Sequence, residues 1–161
     1  MIKNPLSIKF KLTHSDAILP KAAKEGDIGF DLYAVEDFYL FPQTTGVIKT
    51  GLTLAGFSDA PHASWFMKVE GRSGLASKGI FPVGGIIDPS YRGEIGVILF
   101  NSNPNPTNPN CVPTPYKITK GDRIAQLVLY SVISGGEVLF KQTEEIEETQ
   151  RGDSGFGSSG K

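Results

Sequence analysis

The segment Gly84-Gly85-Ile86-Ile87-Asp88-Pro89-Ser90-Tyr91-Arg92-Gly93-Glu94-Ile95-Gly96 decides how the chain folds. An apolar run enters Asp88, a turn follows at Pro89-Ser90, and the chain leaves through Gly93 and Gly96. Two such arms around turn residues predict a β-hairpin with a loop of several residues. The same punctuation extends outward in both directions. Nineteen glycines and eleven prolines cut the 161 residues into short pieces. Ser7 to Leu12 alternates apolar and polar, as a half-buried strand does. Phe38 to Phe41, Val47 to Leu54, Trp65 to Val69, Ile95 to Phe100, Ile124 to Ile133 and Val138 to Phe140 are strand-like and rich in Val, Ile, Phe and Tyr. No stretch holds a 3.6-residue period for three turns, and Ser73 to Lys78 has room for one or two helical turns. The expectation is an all-β sandwich or barrel, jelly-roll-like.

A chain of 161 residues has the length of one domain. Its 16 Lys and Arg balance 17 Asp and Glu, a formal net charge of -1. That balance gives no electrostatic case for nucleic acid or an anionic membrane; a phosphate ligand would need a few placed cations. Cys111 is the one cysteine, and His14 and His62 stand near no other soft ligand. Zinc is therefore not expected, and a metal, if used, is a hard one such as Mg2+. No apolar run approaches the ~18 residues of a membrane span. Met1 to Pro5 lacks a signal-like apolar region. These features predict a soluble, intracellular, cytoplasmic protein. Asn101 to Pro115 holds five Pro and five Asn in 15 residues. Proline has no N–H for a central strand, so this is expected to be an exposed, partly polyproline-like loop. From about Gln142 the chain is first acidic, then Gly/Ser-rich to Lys161. It has too little apolar area to fold alone. The expected division is a β-barrel domain over 1–141 and a flexible tail over 142–161.

Four places carry more chemistry than a scaffold needs. Gly71-Arg72-Ser73-Gly74-Leu75-Ala76 follows a strand directly. Backbone N–H groups at a Gly-flanked turn form an anion cradle, with Arg72 adding a fork and Ser73 a hydroxyl. The plainer alternative is a strand-to-turn connection with a solvated arginine. Asp88 stands at a loop edge where a carboxylate meets water; its plainer role is to cap a turn, with Tyr91 covering the core edge. Asp31, flanked by Phe30 and Leu32, is either a satisfied turn group or a ligand for a hydrated metal. Gln126 interrupts an apolar strand, so its amide calls for a specific partner. Gly155-Phe156-Gly157-Ser158-Ser159-Gly160-Lys161 fits the first seven positions of a Walker A loop. The Mg2+-binding Ser/Thr of that motif would be residue 162, and no strand or helix pattern frames the segment, so that reading is rejected.

In order along the chain, these segments resemble the five motifs of the dUTPase family. They are Gly29-Phe30-Asp31-Leu32-Tyr33-Ala34; Gly71 to Ala76; Gly85-Ile86-Ile87-Asp88 with Tyr91-Arg92-Gly93; Gly121 to Leu127; and Arg151-Gly152 with Gly155-Phe156-Gly157-Ser158. The resemblance implies a distorted, jelly-roll-like β-barrel of the β-clip kind. It implies hydrolysis of dUTP to dUMP and pyrophosphate with Mg2+, lowering dUTP and supplying dUMP for thymidylate synthesis. Asp88 then looks like the general base and Asp31 like a group holding Mg2+ through water. Arg72, Ser73, Gly74 and Gln126 look like phosphate binders, with Arg151, Gly157 and Ser158 closing from the tail and Phe156 stacking on uracil. The backbone around Gly85, Ile86, Ile87 and Gly96 would read the base, and Tyr91 would exclude a 2′-hydroxyl. A homotrimer with shared active sites, the tail closing a neighbour's site, is also implied. Ser154 and Ser159 stand where the family usually shows Gly and Thr, and the Pro/Asn loop is longer than the usual connection. The nearest alternatives are a deoxycytidine triphosphate deaminase, similar in fold, and a non-catalytic nucleotide sensor on the same scaffold.

Overall fold

The structure, a computed structural model, describes residues 7–58, 65–108, 110–131 and 141–144. Its strands are β1 (Ser7–Leu12), β2 (Lys21–Ala22), β3 (Phe30–Tyr33), β4 (Phe38–Leu40), β5 (Thr45–Ser58), β6 (Trp65–Glu70), β7 (Ile80–Pro82), β8 (Ile86–Ile87), β9 (Glu94–Asn101), β10 (Tyr116–Ile118) and β11 (Arg123–Ser131). One helical turn, α1 (Ser73–Ala76), follows β6. A four-stranded sheet runs β1-β5-β9-β7, a five-stranded sheet runs β2-β3-β11-β6-β8, and β10 pairs with β4 in a small third sheet. The all-β, jelly-roll-like expectation holds. No helix among the described residues is long and apolar enough to cross a membrane.

Alternation builds the core. In β6, Trp65, Met67 and Val69 are buried while Phe66, Lys68 and Glu70 are half-buried. In β9, Ile95, Val97 and Leu99 turn inward. These side chains meet Leu32, Ile48, Leu52, Leu54, Ile124 and Leu127 in one cluster. Each such aliphatic side chain contributes roughly 1.5–3 kcal/mol on burial. β5 is the spine: its first part pairs with β9 and its second with β1.

Several elements differ from expectation. β7 ends in Pro82 and lies at the edge of its sheet, where a missing N–H costs no ladder bond. Its three residues were too few to read as a strand, as were those of β2 and β10. β5 runs past the predicted Val47 to Leu54 at both ends. The predicted hairpin is a correction. β8 does not pair with β9; it joins β6, with Ile87 opposite Met67. Besides β5, the antiparallel partner of β9 is β7, with Phe81 opposite Phe100. Between β7 and β8 the chain crosses from one sheet to the other at Gly84 and Gly85, whose φ values are 69° and 98°, and after Asp88 it crosses back. Side-chain-bearing residues adopt such values only with strain. A Cβ on Gly85 would also lie 2.8 Å from Val69 Cβ. Asn101, expected at the start of the exposed loop, is instead the buried last residue of β9. Its Nδ2 donates to the Leu40 carbonyl at 3.0 Å, which satisfies the buried amide. The expected strand Val138 to Phe140, the end of the predicted Ile124 to Ile133 strand, and nearly all of the tail lie outside the described residues.

Candidate active site

Strand register assembles the first cluster. Gln126 of β11 stands opposite Asp31 of β3 on one side and Glu70 of β6 on the other. Directly opposed residues share a face, with Cβ atoms about 5 Å apart. β6 then ends, and Gly71 and Arg72 turn the chain into α1 beside that row. The Gln126 amide donates to the Gly71 carbonyl at 2.9 Å, so the partner its position called for is the turn itself. A Cβ on Gly29 would fall 2.0 Å from Gln126 Oε1, so only glycine lets this side chain lie where it does.

Asp31 is the pivot of the cluster. Its side chain is 7% exposed; Oδ1 pairs with Arg72 Nε at 3.0 Å and Oδ2 with Arg123 Nη1 at 3.3 Å. Arg72 Nη1 donates to the Arg123 carbonyl at 3.2 Å. A guanidinium has five donors, so the outer edge of Arg72 still faces the cleft with hydrogens to give. Ser73 and Gly74 follow, and neither N–H has a backbone acceptor among the described residues. Two polar clefts flank the cluster. One, of about 380 Å³, is lined by Arg72, Gly74, Lys78 and Arg123; the other, of about 500 Å³, by Lys21, Asp31, Tyr33 and Arg123. An apolar hollow of about 460 Å³ beside Phe10, Phe30 and Met67 carries none of the expected site residues.

The second cluster is the crossover after β8. Asp88 is exposed, and its carboxylate takes no hydrogen bond from the described residues. Its carbonyl accepts the Tyr91 N–H at 3.0 Å, and Arg92 Nη1 ties the turn through the Pro89 and Tyr91 carbonyls at 2.7 and 2.9 Å. The Tyr91 hydroxyl donates to the Glu94 carbonyl at 3.2 Å, which pins its ring. Ile86 is exposed and Ile87 buried. Gly96 lies opposite Lys49 on β5. The Gly85 carbonyl accepts the Val69 N–H at 2.9 Å, so one of its lone pairs is used inside the protein. Because β8 and β9 belong to different sheets, the edge of β8 away from β6 has no strand partner among the described residues. The edge of β9 away from β5 has none before Ile98.

Asp31, Arg72, Ser73, Gly74 and Gln126 thus gather in one place, and Gly85, Ile86, Ile87, Asp88, Tyr91 and Gly96 in another. No hydrogen bond or ion pair among the described residues joins the two. Arg151, Phe156, Gly157 and Ser158 lie outside the described residues. Sequence reading missed Arg123 and the packing role of Gly29. In sequence Arg123 reads as a solvated arginine after Asp122; it is the bulge between Arg123 and Ala125, a fact of strand register, that sets it beside Asp31. No three His, Cys, Asp or Glu side chains converge among the described residues. With each Asp31 oxygen on an arginine, the donor set fits a hard cation carried by ligand oxygens and water rather than a protein cage.

Both clusters sit on an all-β, jelly-roll-like scaffold, and the proteins that share this scaffold and its sequence are nucleotide hydrolases. The dUTPase family model matches residues 15–160, and the chain belongs to that family. It is 39% identical over 158 residues to the deoxyuridine 5'-triphosphate nucleotidohydrolase of Corynebacterium glutamicum, covering 96% of this chain and 95% of that protein. Among solved structures it is similar to a variant of the Staphylococcus bacteriophage 80alpha dUTPase with dUpNHpp, at a TM-score of 0.78 and 29% identity over 98% of this chain and 99% of that one. A second is a variant dUTPase from phage phi11 of S. aureus, whose structure describes a structural Mg(II) ion; the TM-score is 0.70 at 26% identity, over 90% and 100% of the two chains.

Proposed function

We propose that the chain hydrolyses dUTP to dUMP and pyrophosphate by water attack on the α-phosphorus, with Asp88 as the general base. As the water oxygen bonds to phosphorus, the bond to the bridging oxygen of the β-phosphate breaks and Asp88 takes the water's proton. Arg72, Ser73, Gly74 and Gln126 hold the triphosphate. The backbone edges near Gly85, Ile86, Ile87 and Gly96 pair with uracil; cytosine inverts the donor and acceptor at its edge and leaves buried groups unpaired. Tyr91, its ring pinned through Glu94, packs under the sugar and excludes a 2′-hydroxyl. Asp31 would hold Mg2+ through water. When bound, the cation supplies neutralising charge on the triphosphate oxygens. Arg151, Phe156, Gly157 and Ser158 close the site from the tail, and three copies of the chain share their sites.

The observation that supports this reading best is the Asp31-held Arg72 at the Gly71 turn, with Gln126 beside it. Such a corner gives a chain of net charge -1 a place for a polyphosphate. The test is hydrolysis of dUTP with Mg2+ in ¹⁸O-water. Label in dUMP, with pyrophosphate as the other product, is the expected result. Label in pyrophosphate, or release of orthophosphate with dUDP, would overturn the proposed attack.

A further inference from the structure

We infer that Arg123 is a positioning residue for triphosphate binding: it holds the Arg72 guanidinium in its binding pose. The inference rests on the reading of the Gly71 turn as a phosphate site, and three observations carry it. Arg72 is held at two points, Nε by Asp31 and Nη1 by the Arg123 carbonyl. The other oxygen of Asp31 is held by the Arg123 side chain. Arg123 therefore reaches Arg72 twice, once through its backbone and once through the carboxylate. The third observation is the register. β11 shifts against β3 between Arg123 and Ala125, so Tyr33 faces Arg123 and Leu32 faces Ala125. A bulge of this kind re-aims a side chain at the end of a ladder, beside a site. It is anchored on both sides: the Gly121 N–H donates to the Ala34 carbonyl at 2.8 Å, and the Ala34 N–H to the Asp122 carbonyl at 3.0 Å.

Arg123 lines both polar clefts and is 48% exposed, whereas Arg72 is 26% exposed. The shielded guanidinium is the fixed one and the outer one is its clamp.

The test compares Arg123→Ala, Arg72→Ala and the double variant as full-length chains. Affinity for the imido analogue of dUTP and inhibition by deoxyuridine, which has no phosphate, are measured on each. Arg123→Ala should weaken the analogue roughly ten- to hundred-fold, the worth of a charged hydrogen-bonded group, and leave deoxyuridine unchanged. In the Arg72→Ala background it should add little, because its effect passes through Arg72. Arg123→Lys, which keeps a charge for Asp31, should recover part of the loss. Additive losses would make Arg123 an independent phosphate ligand, and an equal loss for deoxyuridine would make its role merely structural; either overturns the inference. Wild-type affinity in Arg123→Ala, with Arg72→Ala impaired, overturns the inference alone. Wild-type affinity in Arg72→Ala brings down the phosphate-turn reading and the inference with it. Should Arg123→Ala fail to fold, Arg123→Gln carries the same comparison.

Discussion

Two carboxylates in this chain have opposite surroundings, and their roles diverge accordingly. Asp31 is buried and held by two arginines, whereas Asp88 is exposed and takes no partner among the described residues. A base needs a carboxylate free to take a proton; a clamp needs one fixed by charge. Asp88→Asn is nearly isosteric, so it should keep nucleotide affinity while kcat falls by roughly 10²–10⁴, the usual worth of a general base. Turnover near that of the parent enzyme would remove Asp88 from the mechanism. Gly29→Ala tests the other cluster. Its new Cβ would drive the Gln126 amide off the Gly71 carbonyl, costing about 1 kcal/mol for the lost hydrogen bond and raising KM several-fold. An unchanged KM would show that the phosphate turn does not depend on Gln126. Sequence patterns made Asp31, Asp88, Arg72 and Gln126 visible, since each is a polar residue where the pattern wanted an apolar one or a plain turn. Arg123 was not visible. A solvated arginine after Asp122 has the same appearance in sequence as one locked onto a buried carboxylate.

Short elements depend on their neighbours for stability, and α1 is the clearest case. One turn of helix cannot hold itself in water. Its end is fastened by the root of the Pro/Asn loop. Asn103 Nδ2 donates to the Lys78 carbonyl at 2.9 Å, and the Ser102 N–H and Oγ both reach the Gly79 carbonyl at 2.9 Å. Gln43 closes the arrangement from the other side through the Ser102 and Asn103 carbonyls. Asn103→Ala should therefore cost about 1 kcal/mol in thermal or chemical melts and loosen triphosphate binding, although Asn103 touches no proposed ligand. A fall in stability with KM unchanged would separate the loop root from the phosphate turn. On the β6–β11 face, Lys68 and then Tyr130 hydrogen-bond to Glu70 and hold its carboxyl below its ordinary value of 4.5. A depressed carboxyl stabilises the fold above its ordinary value and loses that contribution as pH falls through the lowered one. Glu70→Gln should thus melt slightly below the parent at pH 7, and the gap should shrink as pH falls below 4.5. A gap that widens in acid would reverse the sign and discard the pairing. Strands with long alternation, such as β6 and β9, were legible in sequence. β2, β7, β8 and β10 were not, because two or three residues show no period and are extended only through their partners. The turn from Asp88 to Gly93 reads as a hairpin in sequence but is a crossover between sheets, because a turn sequence does not say which strands it serves.

The proposed assembly bears on the separation of the two clusters. Asp31, Arg72 and Gln126 gather at one end of the five-stranded sheet, while Asp88 and Tyr91 stand on a crossover with no hydrogen bond or ion pair to them among the described residues. A base that must reach a phosphate held by Arg72 is then most simply supplied by another copy. In the proposed homotrimer one chain supplies Asp31, Arg72, Ser73 and Gln126, a second supplies Asp88 and Tyr91, and a third supplies the tail with Arg151 and Phe156. Closed three-fold symmetry makes all three sites identical. Complementation tests this. One variant carries Asp88→Asn with its tail intact; the other keeps Asp88 and lacks residues 150–161. Each homotrimer should be nearly inactive, because every site lacks either its base or its closing segment. The two are unfolded, mixed equally and refolded together. A site revives when its crossover comes from the tailless chain and its tail from the Asp88→Asn chain. Random mixing in a closed trimer makes roughly one site in four qualify. If crossover and tail of a site belonged to one chain, no mixture could contain a complete pair. Recovery near a quarter of parental activity supports sites built from several chains. Recovery near zero, with mixed trimers verified by native mass, rejects them and returns base and tail to the same subunit.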